Sequence, residues 1–259
     1  MRRIVFAGYQ RMVQNRRVRA TVDGVVFDLD LGETIDLALY LRQFERDVIA
    51  AIDRYCPAGG TVLDVGANIG VHALRFARLV GPGGSVYAFE PTDFAFAKLT
   101  RNMSLNSFAQ LVALKLALAE NNERARTVDF RSSWRTDGKT VTSGSLVDLI
   151  RLDDWAERMQ LKRLDLIKLD VDGNEYSVLA GGLATLGHFR PLLLMEVGDY
   201  HFADETRNPI RLLEALRYSF HDLAHPEQEM RVRDMVTKLA ALRADGLDSM
   251  NILCRIPEL

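Results

Sequence analysis

A short apolar run that stops at a glycine constrains this chain more than any other feature. Thr61-Val62-Leu63-Asp64-Val65 reads as a buried strand, Gly66 breaks it, and Gly70 follows four positions later. From Val71 the apolar residues Val71, Ala73, Leu74, Phe76, Ala77 and Leu79 follow a helical pattern. Strand, glycine turn and helix form the front half of a nucleotide-binding βαβ unit. Glycine lets backbone pass close to a ligand that a Cβ would strike. The helix N-terminus adds free N–H donors and a partial positive charge.

The turn is not the dinucleotide fingerprint, because its spacing is Gly66-x-x-x-Gly70 rather than G-x-G-x-x-G. It lacks the lysine of a phosphate-cradling loop. It carries acids instead. Asp64 stands two residues before the first glycine, and Glu90 closes the next strand, Ser85–Glu90. Glu90 lies 20 positions after Gly70, where a carboxylate accepts from two ribose hydroxyls. Two acids and no lysine suit a nucleoside bearing a cationic sulfonium and an amino acid, which points to S-adenosylmethionine.

The remaining chain alternates strands and helices. Residues 1–22 are locally basic, with six arginines and no acid before Asp23, and read as a solvated helix or loose arm. A strand is expected at 24–31 and a helix over 33–55, where Tyr40, Phe44 and Glu45 are placed to close over the cofactor. Pro57-Ala58-Gly59-Gly60 then breaks the chain. Residues 1–60 therefore read as an N-terminal arm and cap over a body at 61–259. In the body, strands are expected at 85–90, 111–118, 165–170, 191–197 and 249–255. Helices are expected at 94–106, 175–186 and 208–217. Residues 131–145, polar and aperiodic, read as a loop insertion and a candidate lid. This order implies an α/β fold, a doubly wound and mostly parallel sheet with helices on both faces. Ligands bind such sheets at the carboxyl ends of the strands. Asp64, Glu90, Asp170 and Glu196 all fall at or near such ends.

A second acidic group surrounds Asp170. Leu166-Ile167-Lys168-Leu169-Asp170 carries a lysine in an apolar run, and a period of two puts Lys168 and Asp170 on one face, close enough to pair. Asp172 and Glu175 have the spacing of a capping box for the helix that follows, and both are also candidate substrate contacts. Asp170, Glu175 and Glu196 have the chemistry to converge on a hydroxyl, on the cofactor's amino group, or on a divalent ion. Carboxylates without histidine suit Mg²⁺ or Mn²⁺ better than zinc.

Composition narrows the class. At 259 residues the chain is long enough for one large α/β domain with small additions. A net charge of −2 gives no case for bulk nucleic-acid binding. Two cysteines, Cys56 and Cys254, lack metal-ligand spacing and read as free thiols in a reducing compartment. The apolar runs are too short to span a bilayer, so a cytoplasmic protein is the expectation.

Taken in order, these motifs resemble the FkbM family of S-adenosylmethionine-dependent methyltransferases, over roughly Phe27 to Pro257. Val62–Gly70 resembles its cofactor loop, Ala88-Phe89-Glu90-Pro91 its ribose-binding strand end, and Asn102-Met103-Ser104-Leu105-Asn106 the segment that follows. Asp165–Glu175 is similar to its most diagnostic stretch, and Asn251-Ile252-Leu253 to its last strand. Asp172 departs from the glutamate usual before that glycine. The resemblance implies a Rossmann-like class I methyltransferase with a seven-stranded, mostly parallel sheet. It implies O-methylation of a small-molecule hydroxyl on a sugar or a secondary metabolite such as a macrolide. It places Asp64, Gly66, Ala67, Asn68, Gly70, Glu90, Pro91, Ala119 and Asp170 against the cofactor, and Tyr40, Asp172 and Glu175 toward the substrate. Asp170 or Glu196 is the expected general base, acting directly or through a metal they share, with His201 as the next choice. His72 reads as packing. A nicotinamide-dependent oxidoreductase, a catalytically silent S-adenosylmethionine-binding protein and an RNA methyltransferase are the competing readings. A homo-oligomer stays open.

Overall fold

The computed structural model describes residues 16–131, 142–244 and 246–257. The chain opens with an antiparallel hairpin, β1 (Arg17–Val22) and β2 (Val25–Asp30). The helices α1 (Thr34–Tyr40) and α2 (Arg46–Tyr55) follow. The central unit is β3 (Thr61–Val65), α3 (Val71–Val80), β4 (Ser85–Phe89), α4 (Asp93–Ser104) and β5 (Leu111–Leu114). Next come β6 (Ala117–Leu118), β7 (Glu123–Arg131), β8 (Thr142–Ile150) and α5 (Leu152–Arg158). Then follow β9 (Leu166–Leu169), α6 (Glu175–Ala180), α7 (Leu183–Phe189) and β10 (Leu192–Gly198). The chain ends with α8 (Pro209–Ala215), β11 (Ser219–Asp222), β12 (Glu229–Met230), α9 (Val232–Ala244) and β13 (Ser249–Arg255).

The main sheet has the order β12-β11-β13-β10-β9-β3-β4-β5. Strands β10, β9, β3, β4 and β5 run parallel, and β13 inserts antiparallel between β10 and β11. The sheet therefore has eight strands where seven were expected. The additional one, β12, is a two-residue pairing on the outer edge beyond β11. From β3 the chain moves outward through β4 and β5, then returns to lay β9 and β10 on the other side. The crevice where strand order reverses lies at the carboxyl ends of β3 and β9, the position where such sheets bind ligands.

Helices cover both faces. One apolar core gathers Val62, Val86, Leu166 and Leu194 with the hairpin, α1, α2, α3 and Leu99 of α4. The other gathers Leu63, Phe89, Ile167, Leu193 and Met195 with α5 to α9. Strand side chains alternate between faces. Val62, Val86, Leu166 and Leu194 share the first face, so Asp64, Glu90, Lys168, Asp170 and Glu196, each an even number of residues along the same strand or its end, point the same way. The polar groups at four strand ends thus project under one roof, the N-terminal elements.

That roof is fastened by one face of α4. Lys98, Arg101 and Asn102 recur on it at helical spacing, and Asn106 continues the row two residues past its end. Lys98 pairs with Asp36 of α1 at 2.5 Å, and Arg101 pairs with Asp28. Asn102 accepts the Asp28 N–H and donates to the Ile69 carbonyl, both at 2.9 Å. Asn106 accepts the Val26 N–H and donates to the Val26 carbonyl. Buried Asn102 therefore ties the glycine turn to the hairpin.

Several expectations change. Residues 17–22 are a strand, not an arm. Asp23 and Gly24 both have positive φ, 49° and 83°, and make the two-residue turn that matches strand twist. The long helix over 33–55 is two helices, broken at Leu41–Glu45, where Arg42 and Glu45 also have positive φ. The strand at 111–118 divides, because Ala117–Leu118 leaves the main sheet to pair with β8 in a three-stranded sheet. The helix at 175–186 is interrupted at Gly181-Gly182. Of the lid at 131–145, residues 132–141 lie outside those described, and Thr142 already begins β8.

Asn102→Ala removes both of its side-chain hydrogen bonds and leaves the half-buried Asp28 N–H and the buried Ile69 C=O unpaired. Stability should fall by about 2–4 kcal/mol, read as a lower denaturant midpoint at unchanged slope.

Candidate functional site

A cleft of about 540 Å³ opens over the carboxyl ends of β3, β4, β9 and β10. The turn after β3 forms its floor. Gly66 has φ +84°, and a Cβ there would come within 1.8 Å of the Asp170 carbonyl oxygen. The first glycine is therefore required because the β3 and β9 turns touch each other. Gly70, with φ +89°, backs onto Leu99 in α4, where a Cβ would meet Cδ1 at 2.5 Å, and it does not line the cleft. Gly66, Ala67 and Asn68 do line it. Their N–H groups are already used: Gly66 and Ala67 donate to the Phe89 carbonyl and Asn68 to Glu90. The turn offers shape and side-chain acceptors to a ligand more than free backbone donors.

Glu90 is buried and fixed. Oε2 accepts the Asn68 N–H at 2.9 Å, and Oε1 accepts the Thr92 N–H at 2.8 Å and its hydroxyl at 2.5 Å. Burial raises its pKa, against the pull of those Thr92 and Asn68 donors. Oε1 already accepts two bonds, so Oε2 keeps the lone pair that is free for the cleft. Thr92, a residue that sequence reasoning passed over, sets the orientation of this carboxylate. Pro91 and Ala119 also line the cleft.

At the switch point Lys168 is 2% exposed and donates to Asp170 Oδ2 at 2.8 Å, the pairing expected from the strand period. Its direct neighbour in register is Asp64 of β3. Burial opposes the lysine's charge, but Asp170, Asp64 and Glu45 outweigh it and raise its pKa. Asp64 is fully buried and does not line the cleft, which corrects its expected role as a cofactor contact. Neither of its oxygens has a hydrogen-bond partner among the described residues. Burial pushes its pKa up to about 6 in spite of Lys168. Asp64 is a countercharge beneath the site.

Glu196 lines the cleft two residues beyond Leu194, the register partner of Lys168. Ser249 donates to its Oε1 at 2.6 Å, and the Tyr200 hydroxyl lies 3.5 Å from Oε2. Burial, and then the charge of Asp170, push its pKa to about 8. Asp170, Asp172 and Glu196 each offer a carboxylate oxygen within 4.8 Å of the others.

Three expected site residues fall elsewhere. His201 accepts the Gly198 N–H at Nδ1, so its proton is on Nε2, which donates to Glu175 Oε2 at 2.6 Å. Glu175 Oε1 accepts the Val171 N–H. Both residues are buried and outside the cleft, and they brace the turn that carries Asp170. Asn174, not Asp172, occupies the position before α6. Asp172 lines the cleft with φ 50°. Tyr40 ends α1, 41% exposed and outside the cleft.

The break between α1 and α2 brings in two residues instead. Glu45 and His72 both line the cleft, with Oε2 and Nε2 3.3 Å apart. Burial lifts Glu45 to about 7 and drives His72 well below its usual value, so the imidazole is neutral. Glu45 Oε2, His72 Nε2 and Asn68 Oδ1 are buried without a hydrogen-bond partner among the described residues. Unpaired acceptors in an acid-lined cleft fit a ligand that brings its own donors and positive charge, as S-adenosylmethionine does.

The methyltransferase FkbM domain profile matches residues 64–224. The chain is 30% identical over 202 residues to the 2-O-methyltransferase NoeI of Sinorhizobium fredii, covering 69% of this chain and 78% of that protein. It is 28% identical to the hexuronic acid methyltransferase AglP of Haloferax volcanii, over 53% of this chain and 56% of that one. It is 29% identical to the 31-O-demethyl-FK506 methyltransferase FkbM of Streptomyces tacrolimicus, over 48% and 59%. The matched regions thus span little more than half of the last two relatives.

His201→Ala strands the Gly198 N–H and a fully buried Glu175 carboxylate. It should cost about 3–5 kcal/mol, as for a broken buried pair, measured by urea unfolding, while S-adenosylhomocysteine affinity of the folded protein stays at the wild-type value.

Proposed function

The chain belongs to the FkbM methyltransferase family, and from that premise we propose that it transfers a methyl group from S-adenosylmethionine to a hydroxyl of a sugar or similar polyhydroxylated small molecule. The observation that carries this reading is the alignment of Glu90, Asp170 and Glu196 on one sheet face, toward the carboxyl ends of β4, β9 and β10, in a cleft holding polar atoms without a hydrogen-bond partner among the described residues. The 2-O-methyltransferase and hexuronic acid methyltransferase activities named for two relatives support a sugar hydroxyl as the acceptor. No helix of the described residues is long and apolar enough to cross a membrane.

The residues divide by task. Glu90, held by Thr92 and Asn68, is positioned for the two ribose hydroxyls. Leu118, Ala119 and Pro91 give an apolar wall suited to the adenine. When bound, S-adenosylmethionine supplies a methyl group already activated on a positively charged sulfur. The protein's remaining work is to align a hydroxyl and take its proton. Glu196 is suited to the second task, because its raised pKa makes it a stronger base than an ordinary carboxylate. Asp170, bonded to Lys168, stays fixed in place beside it.

A divalent ion is a second use for the same acids, since Asp170, Asp172 and Glu196 come within 4.8 Å of one another. Two observations favour the metal-free reading. Lys168 already supplies a cation to Asp170, and Glu196 sits where burial favours its neutral form. A chelator should therefore leave the rate unchanged.

Calorimetric titration tests the assignment directly. S-adenosylhomocysteine should bind, and Glu90→Ala should weaken it by ~1–3 kcal/mol, the worth of hydrogen bonds to a charged group. Binding of NADH in its place would overturn the methyltransferase reading.

The base assignment has a signed pH test. Glu196 is protonated below about 8 and ionised above it, so kcat/KM should climb with pH and level off above that value. Glu196→Gln should slow turnover by roughly 10²–10⁴-fold. A profile flat from pH 6 to 9 would remove Glu196 from the role.

A further inference from the structure

Glu45 is held in an uncommon way. It precedes α2 in the position where a polar side chain normally bonds the helix's first N–H groups, yet its side chain makes no such bond. Its backbone is left-handed, φ 31° and ψ 55°, a conformation that a non-glycine residue keeps only where its surroundings impose it. The side chain turns away from its own helix and into the cleft. There its Oε2 is buried and unpartnered, 3.3 Å from an equally unpartnered His72 Nε2. Phe44 closes over the imidazole, ring centroids 5.7 Å apart. Neither atom reaches hydrogen-bond geometry with the other or with any other described residue, which is costly for buried polar groups, and a ligand group with several N–H donors that enters between them satisfies the Glu45 carboxylate and the imidazole together.

The strand order says which part of a ligand reaches them. Glu90 stands at the end of β4, the β3 turn lies beside it, and Lys168 and Asp170 belong to β9 on the far side. His72 is the second residue of α3, directly after the β3 turn. The charges that act on Glu45 are Lys168, Asp170, Asp47 and Asp64, the groups of β3 and β9 apart from its helix neighbour Asp47. A nucleoside anchored by its ribose at Glu90 therefore extends its amino-acid tail toward this pair. We propose that Glu45 and His72 form the receptor for the α-ammonium of the methyl donor, with the Glu45 carboxylate as its counterion.

This inference rests on the methyl-donor reading given above. It goes beyond it by assigning the amino-acid end of the ligand to residues that precede the matched family domain, in the case of Glu45, or that read as packing, in the case of His72. It also explains why the helix over 33–55 breaks. A continuous helix would leave Glu45 on its own surface.

Paired titrations separate the two claims. Wild type, Glu45→Gln and His72→Phe are titrated with S-adenosylhomocysteine and with 5′-methylthioadenosine, which carries the adenosine and sulfur but no amino acid. Wild type should prefer S-adenosylhomocysteine. Both variants should lose roughly 10–100-fold for that compound, as for a lost charge-assisted hydrogen bond, and keep wild-type affinity for methylthioadenosine. That second value also reports that the variants are folded. Unchanged S-adenosylhomocysteine binding, or equal loss for both compounds, would overturn the receptor while leaving the methyltransferase reading intact. Failure of wild type to bind either compound would overturn both.

Discussion

A single buried ammonium holds this site together. Lys168 occupies an interior parallel strand whose other residues, Leu166, Ile167 and Leu169, are all buried aliphatics. A lysine there is tolerated only because acids surround it: Asp64 beside it in register, Asp170 two residues on, and Glu45 from the roof. The arrangement is reciprocal. The Asp64 carboxylate has no hydrogen-bond partner among the described residues, and the lysine is the principal charge opposing its desolvation. Removing either partner strands the other in a medium that solvates it poorly. The cluster thus fixes the junction of β3 and β9, and with it the contact between Gly66 and the Asp170 carbonyl that shapes the cleft floor.

The same charge reaches two nearby carboxylates unequally. Asp170 is bonded to it, while Glu196, one strand further, faces burial and the negative Asp170 with less relief and is pushed up to about 8. Here the difference follows from strand order alone, since Lys168 is direct neighbour to one and cross-strand to the other.

Much of the body could be read from the sequence because parallel strands buried on both faces appear as continuous apolar runs. An acid at the end of such a run stands out, and Glu90, Asp170 and Glu196 all line the cleft. Proximity to the cleft was less visible. Asp64 shares the pattern of Glu90 yet lies beneath the floor. Glu175 and His201, 26 residues apart, pair through tertiary packing that no local spacing encodes. The break at Leu41–Glu45 contains neither glycine nor proline, so its residues read as helix until Arg42 is seen bonded to Asp23 across the roof at 2.6 Å. The opposite error befell Arg17–Val22, where charge obscured a strand that the Asp23-Gly24 turn announced.

The roof and the floor also share one electrostatic logic. Burial raises Asp64 to about 6, Glu45 to about 7 and Glu196 to about 8, and all three lie in the field of Lys168. Around the lysine the cleft lowers its own charge by holding protons on Glu45 and Glu196 near neutral pH. A cationic ligand and those protons then compete for the same carboxylates, so binding of the one releases the other. A hydrophobic roof residue in place of Glu45 would keep the fold's packing but remove part of that exchange. The sheet therefore supplies the anchor for the nucleoside, and the broken N-terminal helix supplies the charge that makes the cleft prefer a cation.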